Sequence, residues 1–513
     1  MTARDSVKRS DMETAPDVPQ FGSGGATRRV ETLILGGGIA GLAFAHGLES
    51  SADFALIEAS DRLGGLIQTG SWEDIHYEHG PEALQDNAAE TVSLFEELGL
   101  QRNDAHAIAS HRYIHTEHGL QPVPMGPGAL LRSPLLSLSG KLRALTEPMR
   151  SRSKGLEGSI ADFVRHRLGS EVLERLVDPA VAGIYAGDPE NLSLRAAFPT
   201  VAELVSEHGS LLSGMLARLR AKKEKRREIE KDLSSRGEPP QSSPRRRAPS
   251  LMSVKGGLER LPEALGRELG EHVCMTRSAR RVWRQMHGHE NRWMVECDLP
   301  GVGGSGISSP AQHSQSEVWE ARHLVLAVPA ARAANLLRED QPVLSQELGS
   351  MVSEAVLSVT HVWPQEVVAH PLDGFGYLVP SQSGMAHLGT LFSSSIQPDR
   401  CPGKRVLLRT LMGGARRPDL VHEPDEAVLE IVMREVGGVL GFSGEPLYSN
   451  IVRWPAALPR YDLNQVVRQA TIDHLLDELP GLSIIGNHRR GISVNALIES
   501  SRRAAREHRT ADA

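Results

Sequence analysis

The clearest hydrophobic pattern lies near the start of the chain, where residues 30–58 fit a strand, a helix and a second strand. The apolar run Leu33, Ile34 and Leu35 ends in glycines, which is typical of a buried strand. Small and apolar residues continue from Gly41 to Leu48, as expected for a helix that packs on a sheet. A second apolar run occupies residues 54–57. The pattern therefore predicts an α/β fold.

Further elements follow along the chain. Residues 112–124 fit a short hairpin, and residues 159–207 fit helices that are interrupted by prolines. Strand-like segments occupy residues 356–394 and 406–412. A last apolar strand at 482–485 precedes a helix from about 493 to 506. The chain has 513 residues, so we expect more than one lobe.

The glycines after the first strand form a dinucleotide-binding fingerprint. Gly36, Gly38 and Gly41 have the spacing G-x-G-x-x-G between a strand and a helix, and Glu58 ends the second strand. In such a motif the glycines permit a tight turn, a close approach to pyrophosphate and close helix–strand packing, and the acid binds the ribose. Because a carboxylate repels a 2′-phosphate, NADP is disfavoured. Three more residues are expected to contact the nucleotide: Ile39 and Ala40, which lie between the glycines of the motif, and Ala59, which follows Glu58.

Composition excludes several classes of protein. The net charge is −7 and aromatic residues make up 4% of the chain, which argues against nucleic-acid binding. Cys274, Cys297 and Cys401 form no CxxC pair, which favours a reducing compartment such as the cytoplasm. No apolar run is long enough to span a bilayer. Residues 1–28 are predicted to be a disordered tail, and the Pro/Ser-rich, charged residues 218–250 a linker that leaves peripheral membrane contact open.

The residues after Glu58 favour FAD over NAD. Arg62, Gly64 and Gly65 extend the motif in a way that resembles flavin oxidases. In those proteins a late strand, here ending at Gly486 and Asn487, leads into a helix whose N-terminus faces the flavin. The resemblance implies non-covalent FAD and adds these contacts: Gly80, Pro81, Val273, Trp454, Ile492, Ser493 and Val494.

Longer segments make the resemblance more specific. Residues 30–505 resemble the oxygen-dependent protoporphyrinogen oxidases, most clearly in Gly-Ile-Tyr-Ala-Gly-Asp-Pro at 183–189 and Gly-Phe-Gly-Tyr-Leu-Val-Pro at 374–380. Other matching segments lie at 78–81, 112–114, 197–199, 388–395, 398–400, 453–455 and 494–500. The chain departs from the family where Glu82-Ala83 replaces Asn-Ser, Gln397 replaces Phe, and Ala496-Leu497 replaces Asp-Cys.

The resemblance implies a Rossmann-type FAD-binding domain, a mixed-sheet substrate domain and a helical lobe, as in p-hydroxybenzoate hydroxylase and monoamine oxidase. We assign residues 29–100, 251–345 and 448–505 to the FAD-binding domain. Residues 101–130 and 346–447 are assigned to the substrate domain, and residues 131–217 to the helical lobe.

The resemblance also implies a porphyrinogen substrate with O2 as the electron acceptor. Arg112 is expected to pair with a propionate, since a guanidinium matches a carboxylate. Phe392 and Leu378 are expected to form the walls around the macrocycle, and Gly183 to bring bare backbone close to it. The sequence shows no catalytic triad, carboxylate pair or metal-ligand spacing, which agrees with chemistry carried by the flavin.

Alternatives remain open at the level of sequence. The substrate is protoporphyrinogen IX or, with more propionates, coproporphyrinogen III. A second alternative is that the protein is another enzyme of the same fold, an amine oxidase or a desaturase. A third alternative is a non-catalytic flavin-binding protein that acts on a partner. A homodimer is also compatible with the sequence.

Overall fold

The computed structural model describes residues 27–49, 51–150, 156–235, 250–288, 290–299 and 316–512. The first 26 residues and residues 236–249 lie outside these ranges, and so do most of the predicted tail and the end of the predicted linker. The strands, in chain order, are β1 (Thr27–Leu35), β2 (Phe54–Ile57), β3 (Thr69–Trp72), β4 (Ile75–Glu78), β5 (Leu84–Gln85), β6 (Arg102–Asp104), β7 (Tyr113–Thr116), β8 (Gly119–Pro122), β9 (Leu251–Val254), β10 (Val273–Cys274), β11 (Ser278–His287), β12 (Glu290–Asp298), β13 (Ser316–Leu326), β14 (Ser353–Pro364), β15 (Gly376–Leu378), β16 (His387–Leu391), β17 (Arg405–Gly413), β18 (Tyr448–Pro459) and β19 (Leu482–Ile484).

The α-helices connect and cover these strands. They are α1 (Ile39–Gly47), α2 (Ala89–Glu97), α3 (Pro127–Arg132), α4 (Leu138–Leu145), α5 (Ile160–Arg167), α6 (Ser170–Val172), α7 (Asp178–Tyr185), α8 (Leu194–Ala197), α9 (Pro199–His208), α10 (Leu211–Ser235), α11 (Arg260–Leu269), α12 (Ala330–Leu337), α13 (Pro342–Gly349), α14 (Ser393–Ile396), α15 (Asp425–Leu440), α16 (Gln465–Asp477) and α17 (Val494–Asp512).

The first sheet has the strand order β10-β2-β1-β13-β12-β11, and β19 also pairs with β13. Strands β10, β2, β1, β13 and β19 run parallel to one another, whereas β12 pairs antiparallel with β13 and with β11. Continuous apolar runs such as those of β1 and β2 are typical of parallel strands that are buried on both faces. Helices α1, α11 and α17 cover one face of this sheet, and α12, α13 and α16 cover the other. The two distant strand–helix units of the sequence therefore belong to one sheet.

The second sheet has the order β18-β14-β17-β16-β15-β7-β8 and is mixed, because β7 runs parallel to β15 while the other pairs are antiparallel. Helix α15 packs against it through Val428, Val432 and Val436. Helices α5, α7, α8 and α9 form a separate hydrophobic core. The mixed sheet and the helical lobe that the resemblance implied are both present.

Three predicted boundaries differ from the structure. Strand β1 begins at Thr27, inside the predicted tail, because residues 27–30 pair with β13. Strand β18 pairs with β14 in the second sheet, although residues from 448 onward were assigned to the FAD-binding domain. Helix α10 runs to Ser235, so the first, charged part of the predicted linker from 218 is helical, as its Lys, Glu and Arg residues favour, and the linker boundary moves to the Pro/Ser-rich part.

Candidate active site

The glycine turn after β1 has the geometry that a dinucleotide needs. Gly36 has a φ of 111° and leaves no room for a side chain, because a Cβ there would lie 2.6 Å from the carbonyl oxygen of Ala327. A Cβ on Gly41 would collide with the carbonyl oxygen of Gly36, so Gly41 allows α1 to pack on β1. A Cβ on Gly38 would meet nothing within 4 Å. The turn is therefore open on the side where α1 begins, which suits a pyrophosphate.

Glu58 ends β2 and fixes the same turn. Its Oε2 accepts a hydrogen bond of 2.7 Å from the backbone N of Gly37, and its Oε1 accepts bonds from the backbone N and the hydroxyl of Ser60. The backbone N of Gly64 donates to the carbonyl of Gly37 at 2.8 Å, so the second glycine pair lies beside the first turn. A carboxylate in this position fits the ribose of a dinucleotide.

The distant strand β19 completes the site from the other end of the chain. The chain turns at Gly486, whose φ is 138°, and α17 begins at Val494. Ser493 Oγ accepts a hydrogen bond of 3.2 Å from the backbone N of Ala496, as a helix-capping side chain does. Tyr461 donates to the carbonyl of Asn487 at 2.6 Å and so connects this turn to the strand β18 side of the molecule.

These turns line one cavity of about 1130 Å³, which also reaches the second sheet. Its size exceeds the roughly 300–1,000 Å³ of an ordinary small-ligand site and leaves room for both a dinucleotide and a substrate. Most of the cofactor residues predicted from sequence line it: Gly36, Gly38, Ile39, Ala40, Glu58, Ala59, Gly64, Gly65, Gly80, Pro81, Trp454, Gly486, Asn487, Ile492, Ser493 and Val494.

Three predicted cofactor residues do not line this cavity. Gly41 lies behind the turn and is buried. Arg62 donates to the carbonyl oxygens of Leu63, Gly65 and Ile67, so its guanidinium holds its own loop. Val273 pairs with β2 at the edge of the sheet and lines a smaller hollow together with Arg62. These three residues lie within or beside the predicted cofactor-binding segments of the sequence, but they do not line the cavity.

The predicted substrate residues lie around the far end of the cavity, but only Gly183 lines it. The Leu378 side chain fills the space beside Gly183, since a Cβ on Gly183 would lie 2.5 Å from Leu378 Cδ2. Phe392 is completely buried in the core between the second sheet and α15, so the prediction that it forms the cavity wall is wrong. Phe375 lines the cavity instead.

Arg112 stands directly beside that wall. Its guanidinium carbon lies 5.2 Å from the centre of the Phe375 ring, and the side chain is half-buried. Burial alone lowers the pKa of Arg112, and in the described part of the chain no carboxylate pairs with it. A half-buried guanidinium without a counter-charge is suited to binding an anion, which would supply the missing negative charge.

Sequence reasoning missed several residues that line the cavity. The walls include apolar side chains of the second sheet and charged or polar groups from remote segments: Arg277, Arg332, Ser353, Val356, Ser358, Leu391, Arg409, Leu411, Ala457, Glu82, His79 and His488. The motif at 374–380 pointed to the correct strand, and its Phe375 could have been chosen. His79 and His488 lie beside the flavin motifs in sequence, where we expected solvated or structural histidines. The other positions carry no sequence signal, because they meet only in the folded protein.

Two histidines in the wall are uncharged. Burial lowers the pKa of His79 to about 4 and that of His488 to about 3. Neither ring nitrogen of His79 has a hydrogen-bond partner, and Nε2 of His488 also has none. The wall around the cofactor segments therefore carries little positive charge at neutral pH, apart from the arginines.

A pyrophosphate turn, a ribose carboxylate and a capped helix that converge on one cavity define a dinucleotide-dependent oxidoreductase. The chain belongs to the family described as flavin containing amine oxidoreductase, whose model matches residues 39–507. It is an FAD-dependent oxidoreductase.

Among its relatives, the mitochondrial protoporphyrinogen oxidase of Nicotiana tabacum is 29% identical over 95% of this chain and 96% of its own. The coproporphyrinogen III oxidase of Bacillus subtilis (strain 168) is 26% identical over 92% and 96%. A crystal structure from Exiguobacterium sp. 255-15 that carries the name protoporphyrinogen oxidase matches with a TM-score of 0.73 and 22% identity over 94% and 99%. The fold that the resemblance predicted is confirmed.

Proposed function

We propose that this chain oxidises a porphyrinogen to a porphyrin, with protoporphyrinogen IX as the preferred substrate and O2 as the acceptor. When bound, FAD supplies the redox chemistry by accepting hydride equivalents and passing them to O2, which leaves as hydrogen peroxide. Three such rounds convert a porphyrinogen into a porphyrin. The relatives named above, which cover nearly the whole chain, support this assignment.

Arg112 is the observation that carries the proposal. A porphyrinogen is a large apolar macrocycle with propionate arms, and Arg112 offers an unpaired, half-buried guanidinium at an apolar wall. An amine substrate would instead need a site for a cation or a neutral amine. The geometry therefore favours an anionic, mostly apolar substrate over an amine.

The chain's own residues bind the cofactor and exclude water. We assign the pyrophosphate to the turn at Gly36, Gly38 and Gly64, and the ribose to Glu58. Phe375, Leu391, Val356, Leu411 and Ala457 give the substrate end an apolar lining, which desolvates the reacting groups. No side chain of the described cavity wall is required as a general base in this assignment.

The number of free cations bears on which porphyrinogen is used. Protoporphyrinogen IX has two propionates and coproporphyrinogen III has four. Among the described residues at the substrate end, Arg409 is already paired with Glu82 at 3.0 Å, which leaves Arg112 as the cation without a carboxylate. This balance favours the substrate with fewer carboxylates, and coproporphyrinogen III is the second candidate.

Anaerobic reduction tests the proposal. We expect protoporphyrinogen IX to bleach the visible absorbance of the bound FAD, more completely than coproporphyrinogen III at equal concentration. Putrescine and cyclohexylamine serve as amine controls and should leave the spectrum unchanged. An intact flavin spectrum after addition of either porphyrinogen, or bleaching by the amines, would reject the assignment.

We also propose that the enzyme contacts anionic membrane surfaces from the cytoplasmic side. Exposed apolar side chains cluster on α3, α4 and the segments beside them: Met125, Leu131, Leu138, Leu142, Leu145 and Met149. Arg132, Lys141 and Arg150 lie among them, whereas Arg143 donates to the backbone carbonyls of residues 165–167. Of the nearby acids, Glu147 is buried in an ion pair with Arg167, and Glu171 is partly exposed and bonded to Ser137. Apolar groups flanked by basic ones suit an anionic lipid surface better than a second copy of the same basic face. None of the helices in the described ranges could cross a membrane.

A further inference from the structure

Four buried charged side chains, Glu78, Glu82, Arg400 and Arg409, form a cluster where the separate two-stranded β3–β4 sheet meets the second sheet. Their exposed fractions are 1%, 7%, 3% and 4%. Glu78 ends β4 and Glu82 follows it in the loop, whereas Arg409 lies on β17 of the second sheet and Arg400 lies in the loop before that strand. We call this group the buried charge cluster.

Glu82 is the centre of the buried charge cluster because both guanidinium groups share it. Its Oε1 accepts a hydrogen bond of 2.9 Å from Arg400, and its Oε2 accepts one of 3.0 Å from Arg409. Arg400 also donates to Glu78 and to the hydroxyl of Ser253, both at 2.8 Å. The cluster therefore ties β4, β9 and the loop after β4 to the second sheet.

Arg409 uses its remaining N–H groups to hold the cavity wall. Its Nε donates to the hydroxyl of Ser358 at 2.8 Å, and its Nη2 donates to the carbonyl oxygens of His79 and Gly80. Trp454 donates to the same carbonyl of His79 at 3.0 Å. Nearly all the donors of this guanidinium are thus occupied within the protein, so Arg409 is poorly placed to bind a substrate anion.

The segment held in this way belongs to the site. Gly80, Pro81 and Glu82 line the cavity, and so do Ser358 and Arg409 from the opposite side. Burying the four charged groups of this cluster costs desolvation free energy that apolar side chains would not incur, so stability alone is a weak reason for the arrangement. Fixing the relative position of two walls is a better reason.

We propose that Glu82 and Arg409 are a positioning pair that sets the separation between the Gly80–Pro81 wall of the cofactor site and the β14–β17 wall of the substrate site. This inference rests on the proposed function for its kinetic readout.

The isosteric substitution Glu82→Gln tests the proposal, together with Arg409→Met. We expect kcat to fall about tenfold or more, with KM changed less than threefold and FAD retained, since misplacing a reacting group costs more than it weakens binding. Arg409→Lys should recover part of kcat. The matched control is Arg405→Met, because Arg405 lies on the same strand and pairs with Glu73 of the β3–β4 turn outside the cavity.

Two further readouts separate positioning from loss of structure. The visible spectrum of bound FAD should change in Glu82→Gln and stay the same in Arg405→Met, and this needs no substrate. Burial raises the pKa of Glu78 to about 6, Arg400 opposes this rise, and the charge of Glu82 adds to it. Removing the charge of Glu82 should therefore lower the pKa of Glu78, and any acid limb that Glu78 gives to kcat should move to lower pH in Glu82→Gln.

Unchanged kcat and an unchanged FAD spectrum in Glu82→Gln would overturn the positioning role. If Arg409→Met fails to fold, Glu82→Gln and Arg409→Lys still decide the question. If the wild-type protein turns over no porphyrinogen, the proposed function fails, whereas the substrate-free spectra still report on the pair.

Discussion

Phe375 directly precedes β15 and Phe392 directly follows β16, yet only Phe375 faces the cavity. The backbone N of Phe392 donates to the carbonyl of Phe375 at 2.9 Å, and Leu391, one residue earlier, lines the cavity. Because side chains alternate across a strand, a shift of one position moves a residue from the wall to the core. Motif similarity located the strand but not its face.

Arg112 is the residue whose removal should affect the substrate and not the cofactor. We expect Arg112→Ala to raise KM for the porphyrinogen roughly tenfold or more, since a hydrogen bond to a charged group is worth about 1.5–3 kcal/mol. The FAD content should stay unchanged, because Arg112 packs on Phe375 and does not itself line the cavity that holds the glycine turns. Steady-state kinetics and the ratio of FAD to protein measure both.

Arg112→Lys keeps the charge but loses the forked geometry of the guanidinium, so its KM for the porphyrinogen should lie between those of the wild type and Arg112→Ala. Arg417→Ala, which removes a surface partner of Asp419, is the control for a general loss of positive charge. Loss of FAD with an unchanged KM would contradict the role assigned to Arg112.

Among the elements, β18 departs most from the domain assignment made from the sequence. Trp454 of this strand was predicted to contact the cofactor and does line the cavity, but the strand pairs with β14 along nearly its whole length. The strand therefore belongs to the second sheet, while its Trp454 side chain donates to the carbonyl of His79 in the loop after β4. Assignment by continuity along the chain could not show this, because strand pairing joins residues about a hundred positions apart.

The basic, apolar surface of α3 and α4 should bind vesicles that contain an anionic lipid. We expect the protein to sediment with phosphatidylglycerol–phosphatidylcholine vesicles and much less with phosphatidylcholine alone. Leu138→Ser, Leu142→Ser and Met149→Ser combined should abolish this binding, because the three side chains are 75%, 58% and 84% exposed.

The double substitution Val343→Ser and Val467→Ser is the control, since both residues are exposed apolar side chains on other helices. Vesicle binding that survives the triple substitution would contradict the membrane contact. A wild-type dimer that becomes a monomer in the triple variant, without vesicle binding by either, would identify the surface as a homodimer interface.

For the molecule as a whole, acid should destabilise the fold. Burial lowers the pKa of His79 to about 4 and of His361 and His488 to about 3, all below the ordinary 6.5. As pH falls below 6.5, protons bind the unfolded chain before the folded one, so each buried histidine reduces the free energy of unfolding by up to about 1 kcal/mol over the first pH unit. Glu78 acts in the opposite direction, because its raised pKa favours proton uptake by the folded state, but one group does not offset three.

Urea unfolding with excess FAD at pH 6.5 and 5.5 measures this effect. His361→Gln should flatten the pH dependence of the free energy of unfolding, because it removes one of the three titrating side chains. The Gln side chain can still accept the hydrogen bond that Trp363 donates to His361 at 2.7 Å, so the core should stay intact. His474→Gln, on the exposed side of α16, should leave the pH dependence unchanged. A free energy of unfolding that is higher at pH 5.5 than at pH 6.5 would contradict the prediction.

The sequence by itself determined the dinucleotide unit, because a strand, three glycines, a helix and an acid lie within about thirty residues and interact locally. It also determined that β19 and α17 form a matching unit, through an apolar run followed by Gly486. Only the tertiary structure decided which side chains face the cavity, because strand register and sheet packing choose between neighbours such as Leu391 and Phe392. It alone brought Glu82 to Arg409, since residues so far apart in the chain meet only when the loop after β4 packs against the second sheet.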